Sequence, residues 1–143
     1  MRVFLLALLF CCQLLTAAAA NVPLMPVRDL RAGMQGIGKT VISGDTIETF
    51  NVEILGVNGS EAMGYNIFVR LYGDLIEKTG GVAQGMSGSP VYVDGRLVGA
   101  VAFGKSFNDP HYCFLTPIGI MLPLLDVPIE LPADWIPKGT SLM

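Results

Sequence analysis

Short β-branched runs separated by turn residues fill most of the chain. Residues 34–43 ("MQGIGKTVIS") and 46–57 ("TIETFNVEILGV") flank a Ser-Gly-Asp turn, a pattern that predicts a β-hairpin. In the second run, apolar side chains recur at nearly every second position, with Glu48, Asn51 and Glu53 between them. One face of that strand is therefore expected to meet water.

Further along, the same pattern predicts a second hairpin and two more strands. Asp94-Gly95 joins "SPVYV" to "RLVGAVAFG" and is among the strongest short signals for a hairpin. Residues 66–73 ("NIFVRLYG") are predicted as a strand, and "YCFLTPI" is predicted as the last one. Between the first hairpin and residues 66–73, Asn58-Gly59 predicts a turn within a loop that begins at Val57.

Helical segments are few and short. "DLIEKTGG" at 74–81 predicts a single helical turn that ends at Gly80-Gly81. Residues 119–125 predict at best a short helix stopped by Pro123, and 127–143 predict a proline-rich tail or linker. A count of six or seven short strands with almost no helix favours a small antiparallel barrel or sandwich, over residues 21–126.

The N-terminal residues 1–20 have the pattern of a secretory signal. Arg2 precedes the apolar run "VFLLALLF", and Ala18 and Ala20 fit a small-residue cleavage site after Ala20. Cleavage there would leave 123 of the 143 residues, enough for one domain. If the segment is retained, it would associate the chain with a membrane, although its apolar run is at the short end of a bilayer span.

Composition excludes several classes of protein. Loss of Arg2 would leave 8 of the 9 basic residues against 12 acidic ones, a net charge of −4, which argues against a nucleic-acid surface. Cys11 and Cys12 would leave with the signal, so that Cys113 has no partner for an internal disulfide. One histidine and one cysteine form no ligand cluster, and we therefore expect neither a metal nor another cofactor.

One loop carries a pattern that points to catalysis. In "TGGVAQGMSGSP", Ser87 stands at a glycine-rich corner where Gly85 would let the N–H groups of Gly85 and Ser87 point into one pocket. The alternative is a turn in which Ser87 bonds its own backbone. The intact motif, with a hairpin directly after it, favours a nucleophile loop.

At this point the sequence resembles a known family. "LIEKTGGVAQGMSGSPVYVDGRLVGAVAFG" and "GMQGIGKTVISGDTIETFNVEILGV" are similar to the SpoIVB peptidases, bacterial serine endopeptidases of chymotrypsin-like architecture. The resemblance implies an all-β fold, a small antiparallel barrel of the chymotrypsin-like type with a short C-terminal helix or turn. It also implies that Ser87 is the catalytic serine and that the Gly85 and Ser87 amides form the oxyanion hole.

The other catalytic groups of that family are not evident. Its general base is a histidine that follows a glycine, whereas the one histidine here, His111, follows Pro110 and is expected in a solvent-facing loop. The family's acid is expected upstream of the serine, where Asp74 is the first candidate and Glu77 the second. Because no residue matches the family's general base, we expect the chain to be either a piece of a longer peptidase or a shortened relative of the family.

Other nucleophiles and bases have less support. Lys39 or Lys78 could form a Ser-Lys dyad, but their spacing does not require it, and Cys113 in an apolar strand is expected in the core. We therefore predict an exported serine endopeptidase, or its serine-bearing part, that acts on proteins or peptides through an acyl-enzyme at Ser87. A non-catalytic barrel that binds peptides along the strand edge at 97–103 is the alternative. The sequence leaves the oligomeric state undetermined.

Overall fold

The computed structural model describes residues 22–60, 64–104 and 109–126. The predicted signal segment at 1–20 and the predicted tail at 127–143 lie outside the described residues.

Within the described residues, six antiparallel strands close into a barrel. They are β1 (Gln35–Thr40), β2 (Glu48–Ser60), β3 (Gly64–Tyr72), β4 (Pro90–Val93), β5 (Arg96–Phe103) and β6 (Tyr112–Pro117). Around the barrel their order is β1-β2-β3-β6-β5-β4, with β4 pairing back to β1. The predicted all-β class and antiparallel barrel are confirmed.

Short helices flank the strands. Helix α1 (Asp74–Thr79) follows β3. It ends at Gly80, whose φ of 73° lies in the left-handed region, so the helix stops where the glycine pair predicted. Helix α2 (Ile118–Met121) follows β6 and passes into a 3-10 turn at Leu122–Asp126, which confirms the predicted short C-terminal helix or turn. Another 3-10 turn, Val27–Asp29, precedes β1. None of the described helices is long and apolar enough to cross a membrane.

The barrel interior is filled by the alternating apolar residues of its strands. Phe50, Val52 and Ile54 of β2 are buried, and the polar residues between them are exposed or half-buried, as predicted. Helix α1 and the segment that follows it each add one side chain to the core, Ile76 and Met86. The other buried apolar side chains are Met25, Leu30, Ile67, Val69, Leu71, Val91, Val93, Val98, Ala100, Val101, Cys113 and Leu115.

Both predicted hairpins are present, and they differ in how they turn. Asp94 and Gly95 have φ values of 51° and 72°, the two left-handed residues typical of a tight hairpin turn. Strand β1 instead ends at Thr40, earlier than predicted, and 41–47 form a longer connection to β2. Since 41–47 are all exposed, no core contact extends the pairing of β1 towards Gly44.

The predicted loop around Asn58 and Gly59 is wrong. Strand β2 continues to Ser60, with Asn58 opposite Asn66 and Gly59 opposite Tyr65 of β3. Glycine suits this position because its φ is 113° and because a Cβ there would collide with the carbonyl oxygen of Gly64. Long-range pairing with β3 therefore overrides the local turn signal.

Strand β5 is paired on both sides. It contacts β4 along one edge and β6 along the other, where the register runs from Gly99 to Phe103. Near its start, the N–H of Met25 donates to the Leu97 carbonyl over 2.9 Å, and the N–H of Leu97 donates to the Pro23 carbonyl over 2.8 Å. The segment 22–25 is thus attached to the barrel beside β5.

Candidate active site

The serine loop, defined as residues 80–89, connects α1 to β4 and is attached to β5 by backbone hydrogen bonds. The N–H of Gly88 donates to the Val101 carbonyl over 2.7 Å, and the N–H of Val101 donates to the Ser89 carbonyl over 2.9 Å. Met86 is fully buried, and its side chain anchors the loop in the core. Ser87, the next residue, is exposed.

The Ser87 hydroxyl is held by the carbonyl of a neighbouring strand. Its Oγ donates to the carbonyl oxygen of Ala102 in β5 over 3.1 Å. The turn alternative required Ser87 to bond its own loop backbone, whereas its recorded hydrogen-bond partner lies 15 residues away on another element. The hydroxyl is therefore presented at the surface by the fold.

Two glycines make the corner that exposes this serine. Gly85 and Gly88 have φ values of 94° and 86°, where a residue with a Cβ is strained. Among the hydrogen bonds between described residues, the Gly88 N–H donates to β5, whereas none uses the N–H of Gly85 or Ser87. These two amides remain donors for a group outside the described residues.

A buried polar pair lies directly behind the loop. The Ser89 hydroxyl donates to Oγ1 of Thr40 in β1 over 2.9 Å. Both residues are buried, and within the described part of the chain no buried side-chain nitrogen or oxygen lacks a partner. The pair connects the exit of the serine loop to the end of β1, the strand that pairs with β4.

His111 is engaged by two carboxylates. Its Nδ1 lies 2.6 Å from Oδ1 of Asp109, and its Nε2 lies 3.6 Å from Oε1 of Glu77. The His111 backbone N–H, followed by its side chain, holds the pKa of the Asp109 carboxyl below its usual value. Neither ring nitrogen hydrogen-bonds Ser87, and the side chain is 29% exposed, close to the surface position that the sequence suggested.

Asp74 and Glu77 lie on helix α1. Asp74 is exposed at the first turn, where it lines a shallow groove with Ile47 and Lys78, and it forms no hydrogen bond or ion pair with another described residue. Glu77 faces His111. The structure does not join either carboxylate to Ser87 by a hydrogen bond, so that the acidic role of Asp74 stays a prediction.

The remaining candidate groups have other surroundings. Cys113 is buried in β6, and burial raises the pKa of its thiol to about 12, which agrees with the predicted core position. The Lys39 ammonium lies over the Tyr92 ring, 5.4 Å from its centroid. In the described part of the chain, no group of three or more His, Cys, Asp and Glu side chains could hold a metal ion.

Two features of this site were missed by the sequence analysis. The Ala102 carbonyl and the Thr40 hydroxyl both support the loop, yet no motif marks either residue. The alternation of side chains along β1 places Thr40 on the inner face of the barrel. That alternation was the one sequence signal that could have predicted its buried position.

A small closed antiparallel barrel that presents an exposed serine hydroxyl at a glycine corner has the architecture expected for the nucleophile-bearing part of a serine peptidase. The chain belongs to the SpoIVB peptidase S55 family, whose sequence model matches residues 16–122, which confirms the resemblance. A search of curated proteins gave no match. Membership of a peptidase family makes polypeptides the expected class of substrate.

Proposed function

We propose that the chain is the serine-bearing unit of an exported SpoIVB-type endopeptidase, with Ser87 as its nucleophile. The single observation that carries the proposal is the position of Ser87, which is exposed on a loop whose neighbours are fixed to β5 and to the core. Family membership supports the reaction class, and the exposed position of Ser87 supports its assignment as the nucleophile.

The reaction has two steps, both at Ser87. A base removes the hydroxyl proton as Oγ attacks the scissile carbonyl carbon; the C–N bond then breaks, and the amine leaves with that proton. Water afterwards hydrolyses the ester and regenerates the hydroxyl. The N–H groups of Gly85 and Ser87 would stabilise the negative oxygen of the tetrahedral intermediate, since neither donates to a described residue.

In this proposal the base comes from outside the described residues. The sequence contains one histidine, His111, and both of its ring nitrogens face carboxylates. A base must come within about 3 Å of Oγ or act through one water. Asp74, exposed and unpaired among the described residues, is the candidate to orient the incoming base.

A non-catalytic peptide-binding barrel is less well supported. That alternative relied on an exposed edge at 97–103, but β5 pairs with β4 and β6 and is covered near Leu97 by 22–25. Addition of a peptide strand requires an unpaired edge. On one side of β5, β6 pairs as far as Phe103; on the other side, β4 pairs as far as Ala100 and the serine loop is bonded to Val101, which leaves little edge for a peptide strand.

Labelling with a fluorophosphonate tests the nucleophile. The full chain should be labelled in extracts of the cells that produce it, where the source of the base is present, and labelling should fall sharply after purification, which removes that source. Mass spectrometry should place the adduct on Ser87. Labelling should be lost in Ser87→Ala and kept in Ser43→Ala, a matched change of an exposed serine. Absence of labelling in both preparations would overturn the proposal.

Export is tested separately. If residues 1–20 are a cleaved signal, the protein recovered outside the cytoplasm should begin at Asn21. A protein that begins at Met1 and remains in the cytoplasmic fraction would contradict export but would leave the chemistry of Ser87 untouched. A protein that begins at Met1 in the membrane fraction would indicate a retained anchor.

A further inference from the structure

An apolar pocket adjoins the serine loop. This Ile47 pocket has a volume of about 450 Å³ and lies between the connection 41–47 and the serine loop. Its walls include Val41, Ile47, Pro90 and Tyr92, and Gly85 and Gly88 form its border with the loop.

The pocket has the chemistry of an aliphatic site. Ile47 is 67% exposed and Val41 43%, so both present free apolar surface. Thr40 and Ser89 also border the pocket, but their hydroxyl groups are hydrogen-bonded to each other. Among the described residues that line it, Lys39 carries the one charge, and its ammonium lies over the Tyr92 ring. A polar side chain that entered the pocket would therefore lose its hydration and gain few hydrogen bonds in return.

Position relates the pocket to the proposed chemistry. Gly85 and Gly88 stand two residues before and one residue after Ser87, so their Cα atoms lie within roughly 8 Å of its Cα. The pocket thus lies beside the place where a scissile bond would lie. A peptide bound at Ser87 would bring a side chain close to that bond within reach of the pocket.

We propose that the Ile47 pocket selects an aliphatic side chain of the polypeptide substrate, next to the scissile bond. The inference rests on the proposed function for the identity of the substrate. Its physical basis is independent of catalysis, since burial of an apolar side chain is favourable whether or not Ser87 reacts. Ile47 is the main specificity-determining residue because it is the most exposed apolar wall of the pocket.

Binding is measured with the full chain carrying Ser87→Ala, so that no turnover intervenes. Two probes are titrated, acetyl-Ala-Ala-Leu-Ala-Ala-amide and the same peptide with Asn in place of Leu, and methyl NMR spectra of the isoleucine and valine residues are recorded. The leucine peptide should shift the methyl signals of Ile47 and Val41 and bind at least tenfold more tightly than the asparagine peptide.

A second change tests the residue. Ile47→Ser should weaken binding of the leucine peptide at least fivefold, and its exposed position should leave folding intact. Leu125→Ser, a matched change at a side chain 80% exposed on the C-terminal 3-10 turn, should have no effect. Loss of binding in both variants would indicate a general apolar effect and would overturn the assignment.

The outcomes separate this inference from the proposed function. Equal binding of the two peptides, or shifts confined to other methyl groups, overturns the Ile47 pocket even if fluorophosphonate labels Ser87. Selective binding at Ile47 without any labelling of the unmutated chain supports the pocket and removes the catalytic proposal. Failure of both measurements overturns both.

Discussion

The Ser89 hydroxyl donates a hydrogen bond to Thr40 Oγ1 across 2.9 Å of buried space, joining the end of the serine loop to strand β1. These are the two buried polar residues in the described part of the chain. The two hydroxyl groups are hydrogen-bond partners. Removal of one therefore leaves the other buried without a hydrogen bond.

This pair gives the first prediction. Ser89→Ala should lower the free energy of unfolding by about 1–2 kcal/mol, because the Thr40 hydroxyl is left unpaired. Thr40→Val should cost a similar amount, and the double variant should cost less than the sum of the two. Urea denaturation of the four proteins measures this; strictly additive costs would show that the bond contributes nothing.

Gly81 is predicted to be far less tolerant of substitution than its neighbour Gly80. Both have positive φ, 112° and 73°, but a Cβ on Gly81 would lie 2.5 Å from Cβ of Pro110, whereas one on Gly80 would meet nothing within 4 Å. Gly80→Ala should cost about 1 kcal/mol from backbone strain. Gly81→Ala should cost about 3 kcal/mol or more from strain plus overpacking, as measured by thermal or urea unfolding. Equal costs would contradict the packing of the loop on Pro110.

The Cys113 thiol should resist alkylation in the native protein. Burial raises its pKa from 9.0 to about 12, so at pH 8 almost no thiolate is present and iodoacetamide has no access to it. Labelling should be slow in buffer and fast in urea. Rapid native labelling at pH 8 would show that β6 is not packed as described.

The same thiol makes stability depend on pH in the alkaline range. The folded pKa is raised, so the unfolded chain loses this proton first, and the free energy of unfolding falls as pH rises above about 9. The slope from Cys113 should approach 1.4 kcal/mol per pH unit. Cys113→Ala should remove that part of the slope while lowering stability at every pH; an unchanged slope would assign it to other groups.

Asp109 should titrate at low pH, and its titration should depend on His111. Because the folded pKa is lowered, the stabilising contribution of Asp109 is complete above its ordinary value of 3.8 and is lost as pH falls through the folded value. His111→Asn should raise the Asp109 midpoint partway, since the backbone N–H of residue 111, the larger cause, remains. Carboxyl carbon NMR measures the midpoint. Full return to the ordinary value would make the ring the main cause.

Local signals predicted the parts of the fold that depend on local geometry. Asp94-Gly95 turned where expected because both residues tolerate left-handed backbone, and α1 ended at Gly80 for the same reason. Asn58-Gly59 failed because pairing with β3 continues through both residues. A turn signal is decisive only where no neighbouring strand competes for the backbone.

The candidate site was predictable only at its motif. The glycine corner and Ser87 lie within a few residues of each other, and the sequence displays them together. The supporting contacts join residues that are far apart in the sequence: Ala102 is 15 residues after Ser87, and Ser89 is 49 residues after Thr40. Such contacts follow from barrel closure, which a one-dimensional pattern does not specify.

Attachment of the serine loop to β5 has a consequence for how a catalytic assembly would form. Gly88 and Ser89 are hydrogen-bonded to Val101, and β5 is itself paired with β4 and β6. The position of Ser87 is therefore fixed by the barrel. Under the proposed function, the group that abstracts the Ser87 proton would therefore have to be brought to the hydroxyl, because the backbone bonds of the loop hold the serine in place.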